Sequence, residues 1–159
     1  MYTPELLRAL PKSDLHCHLD GSPRLDTLIE LARKHRVEMP SYTPEGLKEL
    51  VFKPAYSDLM DYLHGFAYTC GVLVDEEALE RVSYELVQDC VAEGPRYLEV
   101  RFAPQLHVRD GLDVAGVLAA VNRGLERGQK EHEATPAVKE GREPPFRYGI
   151  IACAMRMFT

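Results

Sequence analysis

The chain lacks any apolar run near the roughly 20 residues needed to cross a bilayer. Its first ten residues also lack the basic start and apolar stretch of a signal peptide. Both absences point to the cytoplasm as the expected location. No C-x-x-C pair occurs among Cys17, Cys70, Cys90 and Cys153. Neither a disulfide framework nor a thiolate zinc knuckle is therefore indicated, and the four read as buried thiols. A basic excess is missing too: 19 Lys and Arg face 25 Asp and Glu, interspersed, for a formal net charge of -6. That balance argues against a nucleic-acid partner and against attraction to anionic membranes, and it suits a small neutral substrate better. What the 159 residues do contain is 45% hydrophobic side chains, enough for one domain with a sizeable core.

The chain alternates between helical and extended patterns. Thr3-Pro4 starts a short helix that Pro11 stops, and a strand is expected over about Lys12 to Leu19. Gly21-Ser22-Pro23 turns into a helix with Leu25, Leu28, Ile29 and Ala32 on one face and Arg33, Lys34 and Arg36 at its end. Thr43-Pro44 opens a short helix through Leu50, read as part of an insertion, and Lys53-Pro54 closes it. Helices follow from Ser57 to about Val72 and from the cap Asp75 to Gly94-Pro95. Arg96 to Phe102 alternates as a second strand, with Tyr97, Glu99 and Arg101 on one face. Asp113 caps a helix carrying Val114, Val117, Leu118, Val121 and Leu125, and Gln129 to Pro145 reads as a polar stretch ending in a loop. Arg147 to Met155 is expected to be a buried third strand. Strands alternating with helices predict an α/β fold with a parallel sheet.

The chemistry concentrates in Asp14-Leu15-His16-Cys17-His18-Leu19-Asp20-Gly21. On a regular strand Asp14, His16, His18 and Asp20 share one face, so both imidazoles reach one ion. Imidazole is a favoured zinc ligand, and a hydrolytic site keeps one coordination position open for water. The alternative is a solvated pair on a polar strand face. A parallel sheet is covered on both faces, so these groups and Glu99/Arg101 are expected away from open water, where charges need partners or metal. Glu99 and Arg101 could equally form a structural ion pair or lie solvated. The absence of P-C-x-x-C with H-x-E sets aside the cytidine-deaminase type of zinc enzyme.

Pro11-Lys12-Ser13-Asp14-Leu15-His16-Cys17-His18-Leu19-Asp20-Gly21-Ser22 resembles the N-terminal signature of the adenosine deaminase family. Tyr97-Leu98-Glu99-Val100-Arg101-Phe102-Ala103-Pro104 and Ile150-Ile151-Ala152-Cys153-Ala154-Met155-Arg156 resemble that family's second and third barrel strands, in the same order. The resemblance implies a zinc-dependent (β/α)8 barrel that hydrolyses adenosine to inosine and ammonia. Residues 1–159 would then be the N-terminal, incomplete part of one barrel domain. It places His16 and His18 on two metal ligands and Asp20 on a carboxylate that contacts a ribose hydroxyl. Tyr62 and Phe66 fall on the helix that walls the purine pocket, although an aromatic pair at i and i+4 also serves plain packing. Asp20 could also simply cap the turn at Gly21-Ser22. Relatives carrying Glu or Asn at the Asp20 position act on other purines, so Asp20 favours adenosine over adenine, an aminofutalosine or N6-methyl-AMP.

The resemblance also implies parts that the chain does not contain. A full barrel has eight strands and about 250 residues. The third histidine ligand, the His-Ala-x-Glu segment with its proton-shuttling glutamate, the second catalytic histidine and the Asp-Asp pair would all lie beyond Thr159. The catalytic residues thus remain unassigned, and the isolated piece is expected to be inactive or to serve as a non-catalytic binding module. His35, His64, His107 and His132 show no metal-ligand spacing to one another and read as ordinary surface or packing histidines.

Overall fold

The computed structural model describes residues 2–156, and its three strands form one parallel sheet in the order β1-β2-β3. Helix α1 (Pro4–Ala9) starts where the Thr3 hydroxyl accepts the Leu6 N–H, and the chain turns extended at Leu10 before Pro11. β1 (Lys12–His18) runs into a 3-10 turn, Leu19–Gly21. Next come α2 (Leu25–His35), α3 (Pro44–Leu50), α4 (Leu59–Val72) and α5 (Glu76–Glu93). β2 (Pro95–Phe102) follows, with a second 3-10 turn at Pro104–His107. α6 (Val114–Glu133), α7 (Pro136–Lys139) and β3 (Arg147–Ala152) complete the described elements. Among the described residues, no helix is long and apolar enough to cross a membrane.

Local chemistry sets the helix boundaries. Side chains of Thr43, Asp58, Asp75 and Asp113 each accept a backbone N–H from the first turn of the helix they precede, offsetting donors that a helix start leaves unpaired. α5 ends at Gly94, whose φ of 104° lies in the left-handed region and is costly for a residue with a Cβ. A Cβ there would also collide with the Arg8 carbonyl oxygen.

The core lies between the sheet and α5/α6, where Leu79, Val82, Val87, Leu98, Val100 and Val121 are almost wholly buried. Two glycines let these helices approach closely. A Cβ on Gly128 would sit 2.7 Å from Val87 Cβ, and one on Gly124 would sit 2.8 Å from Ser83 Cβ and closer still to the Glu80 carbonyl oxygen. Buried Thr27 on α2 donates to Glu85 of α5 at 2.7 Å, and Arg81 holds the other Glu85 oxygen at 2.9 Å. Thus α2 is tied to the same unit.

Three expectations need correction. The sequence from Gln129 onward is helical to Glu133, because only its outer face is polar: Lys130 pairs with Glu126 one turn back while Gly128 and His132 stay buried. β3 stops at Ala152 and is an open edge, with Ile151 and Ala152 exposed, rather than a buried strand. β1 is also open: Asp14, Leu15 and His16 are exposed. The architecture is a three-stranded parallel sheet with helical connections after β1 and β2, as in the opening strands of a (β/α)8 barrel.

Candidate active site

The carboxyl end of β1 carries the histidine pair. The rings of His16 and His18 lie side by side with centroids 5.3 Å apart. Regular alternation fails just upstream: a register shift between Asp14 and Cys17 pairs Asp14 with Leu98 and His18 with Arg101. Facing partners in a sheet share a side, so Asp14 leaves the histidine face and joins the side of Leu98. Its carboxylate instead accepts the His16 N–H at 3.0 Å.

Asp20 leaves the strand as well, sitting in the turn that follows, yet it stays with the histidines. Its Oδ1 is 3.6 Å from His18 Nδ1, slightly long for a hydrogen bond, and has no hydrogen-bond partner. The residue is 6% exposed. Burial pushes its carboxyl above the ordinary carboxylate value, partly opposed by His107 and His18. The turn itself is closed by Ser22, whose N–H reaches the Leu19 carbonyl oxygen.

Arg101 on β2 places Nη1 3.1 Å from both ring nitrogens of His16, and its Nη2 donates to Cys153 Sγ at 3.6 Å. A guanidinium only donates, so a neutral His16 imidazole accepts. Glu99 accepts from the Tyr97 hydroxyl at 3.1 Å. These two charges on β2 are therefore engaged with different groups.

Phe66 of α4 stands edge-on to His18 at 6.3 Å between centroids. Tyr62 is 5.8 Å from Phe66 but 45% exposed, and it lines an adjoining cleft with Phe52 and Tyr56. His18, Asp20, Phe66, Cys70, Arg101 and Leu106 together line an open cavity of about 350 Å³, within the roughly 300–1,000 Å³ of small-molecule sites. Of the expected site residues, His18, Asp20 and Phe66 reach this cavity, His16 flanks it through Arg101, and Tyr62 stays one ring away.

Two residues near this site escaped the sequence reading. Cys70 lines the cavity, and burial pushes its thiol up to about 12. His107, read as an ordinary histidine, is completely buried beside Asp20. Burial depresses its pKa, with the Asp20 charge acting in the opposite sense. The signal that could have found His107 is its place just after β2, at the end of the sheet where barrel sites gather.

As a test for zinc, the donor set is two adjacent imidazoles at the carboxyl end of a strand, open to solvent on one side. They fit two positions of a metal site. The guanidinium on His16 occupies a lone pair that a metal would use, so Arg101 would have to turn away for an ion to be held there.

Comparison with known proteins follows the same lines. The adenosine deaminase family model matches residues 11–157. The chain belongs to the adenosine deaminase family. It is 41% identical over 155 residues to a probable adenosine deaminase of Dictyostelium discoideum, covering 97% of this chain and 18% of that protein. It is 42% identical over 125 residues to the adenosine deaminase of Vibrio atlanticus, covering 79% of this chain and 38% of that one. The structure of an ADAL-IMP complex aligns with a TM-score of 0.72 at 26% identity, over 97% of this chain and 43% of that chain. The chain thus spans less than half the length of these relatives.

Proposed function

We propose that residues 1–159 form the front part of a zinc-dependent adenosine deaminase barrel, with His16 and His18 as metal ligands and Asp20 as the ribose contact. The observation that carries this reading is the convergence of His18, Asp20 and Phe66 on one cavity with His16 beside it. When bound, zinc would supply a water of lowered pKa for attack at the purine 6-position. The chain's own residues supply position. Phe66 offers a ring face to the purine, and Asp20 Oδ1 accepts a sugar hydroxyl, which supplies the donor this buried oxygen lacks.

Tyr62 is assigned to the outer rim, supporting Phe66. The four cysteines are unpaired, which supports a cytoplasmic location.

Proton transfer to the departing amine needs a carboxylic acid near the metal, and no described residue is placed for it apart from Asp20, which is reserved for the sugar. The 159-residue chain is therefore expected to be inactive alone. Incubating it with zinc and adenosine and following inosine by chromatography checks this. Appearance of inosine at catalytic turnover would contradict it.

A further inference from the structure

Asp20, Cys70 and His107 come from three separate elements: the turn after β1, helix α4 and the turn after β2. One ligand atom from each, a carboxylate oxygen, a sulfur and an imidazole nitrogen, lies within 4.8 Å of the other two. Two polar atoms here lack any hydrogen-bond partner, Asp20 Oδ1 and His107 Nε2. Their residues are 6% and 0% exposed. Unpaired polar atoms at such depth are costly and call for a ligand or a functional reason.

The orientation of His107 sharpens the requirement. Its Nδ1 is 3.2 Å from the Leu73 carbonyl oxygen. A carbonyl can only accept, so Nδ1 carries the proton and Nε2 presents a lone pair. A carboxylate and an imidazole lone pair then share one buried space, and neither donates. An imidazole whose far N–H is fixed by a backbone carbonyl, with the other nitrogen free, is how metal-ligating histidines are usually held.

We propose that Asp20, Cys70 and His107 form a second divalent-cation site, for a zinc-like ion, distinct from the His16/His18 pair. Oxygen, nitrogen and sulfur together suit a borderline ion such as Zn²⁺ or Co²⁺, with a fourth position left for water. The Cys70 proton passes to solvent as its sulfur bonds the ion, and His107 binds as the neutral ring. Ligand–metal distances of roughly 2.0–2.3 Å require the three side chains to draw together slightly, which Cys70 can do by rotation on α4. The site adjoins the proposed nucleoside pocket through Asp20, so an ion held here would compete with a sugar hydroxyl for that carboxylate. Its existence does not depend on the deaminase reading.

Titrating Co²⁺ into the purified 159-residue chain tests the proposal without any activity. The expected result is one ion bound with a sulfur-to-cobalt charge-transfer absorption, displaced by Zn²⁺. That absorption should persist in H16A/H18A and in C153S, because Cys153 lies near Arg101 rather than in the cluster. It should vanish in C70S and weaken at least tenfold in apparent affinity in H107Q, with D20N as a second test should H107Q fail to fold by circular dichroism. Absence of the absorption in the parent chain, its survival in C70S, or its loss in H16A/H18A would each overturn the proposal. In the first case, a water or shared proton bridges Asp20 and His107.

Discussion

Replacing Gly124 by alanine is expected to loosen the α5/α6 pair, whereas the same change at Gly116, eight residues earlier on α6, is expected to be neutral or slightly stabilising. At Gly124 the new methyl would meet Ser83 Cβ at 2.8 Å and press harder on the Glu80 carbonyl oxygen. The obstacle includes backbone, so the helices themselves must part. Overpacking of this kind costs typically about 1–3 kcal/mol, and the obstruction by main chain puts Gly124 at the upper end. Alanine returns up to about 1 kcal/mol of helix propensity, leaving a net loss of about 2 kcal/mol. At Gly116 the nearest atom is Leu112 Cδ1 at 2.9 Å, the tip of a side chain that can rotate. The propensity gain survives there, smaller near a helix start, at roughly 0.5 kcal/mol. For a chain of this length about 2 kcal/mol corresponds to a fall of roughly 4–8 °C in Tm. Thermal and urea unfolding of the two variants beside the parent chain measures both signs. A G124A protein within about 0.5 kcal/mol of the parent would refute the claim that close helix approach at this glycine holds the core.

Two further expectations concern the buried polar groups near the cavity, both measured in chelator. D20N should unfold at a higher temperature than the parent at neutral pH. The folded state raises the Asp20 pKa above the ordinary 3.8, so it binds the proton more tightly than the unfolded chain and loses stability as pH rises through that window. Below 3.8 both states are protonated and the advantage of D20N should disappear; an advantage that is equal at pH 3 and pH 7 would contradict the burial argument. His107 works in the opposite direction. Its folded pKa lies below 6.5, so the unfolded chain takes up a proton first and stability falls as pH drops below that value. H107Q should remove this part of the acid sensitivity, and a Tm–pH slope identical to that of the parent between pH 5 and 7 would rule His107 out as its source.

Much of the fold was legible because its determinants are local. The caps Thr3, Thr43, Asp75 and Asp113 stand immediately before the helices they start, and the alternation of Leu98, Val100 and Phe102 against Tyr97, Glu99 and Arg101 survives intact in β2, whereas the helix expected from Ser57 begins at Leu59, after Asp58. Ions and rings at short spacing, such as His16 and His18, were likewise readable. The bulge that removes Asp14 from their face was not, since a register shift depends on the partner strand and leaves no mark on spacing. Asp20 kept its neighbours only because the turn after β1 curls back toward His18. The position of His107 just after β2 was the one hint of its role; its meeting with Cys70, 37 residues away in number, depends on the packing of α4 near the turn after β2 and left no mark on spacing.

The most direct measurement joins this chain to the rest of a barrel. Residues 11–157, the segment matched by the family model, would replace the matching part of the Vibrio atlanticus adenosine deaminase, which is 42% identical over 125 residues, and inosine formation from adenosine would be followed with and without H18A. The expected result is a folded, zinc-containing chimera that deaminates adenosine and loses at least 100-fold in kcat/KM on H18A, about 2.7 kcal/mol or more of transition-state stabilisation. A folded chimera that binds zinc but leaves adenosine unchanged, or one whose activity survives H18A, would contradict the assignment of this chain as the metal-bearing front of a deaminase.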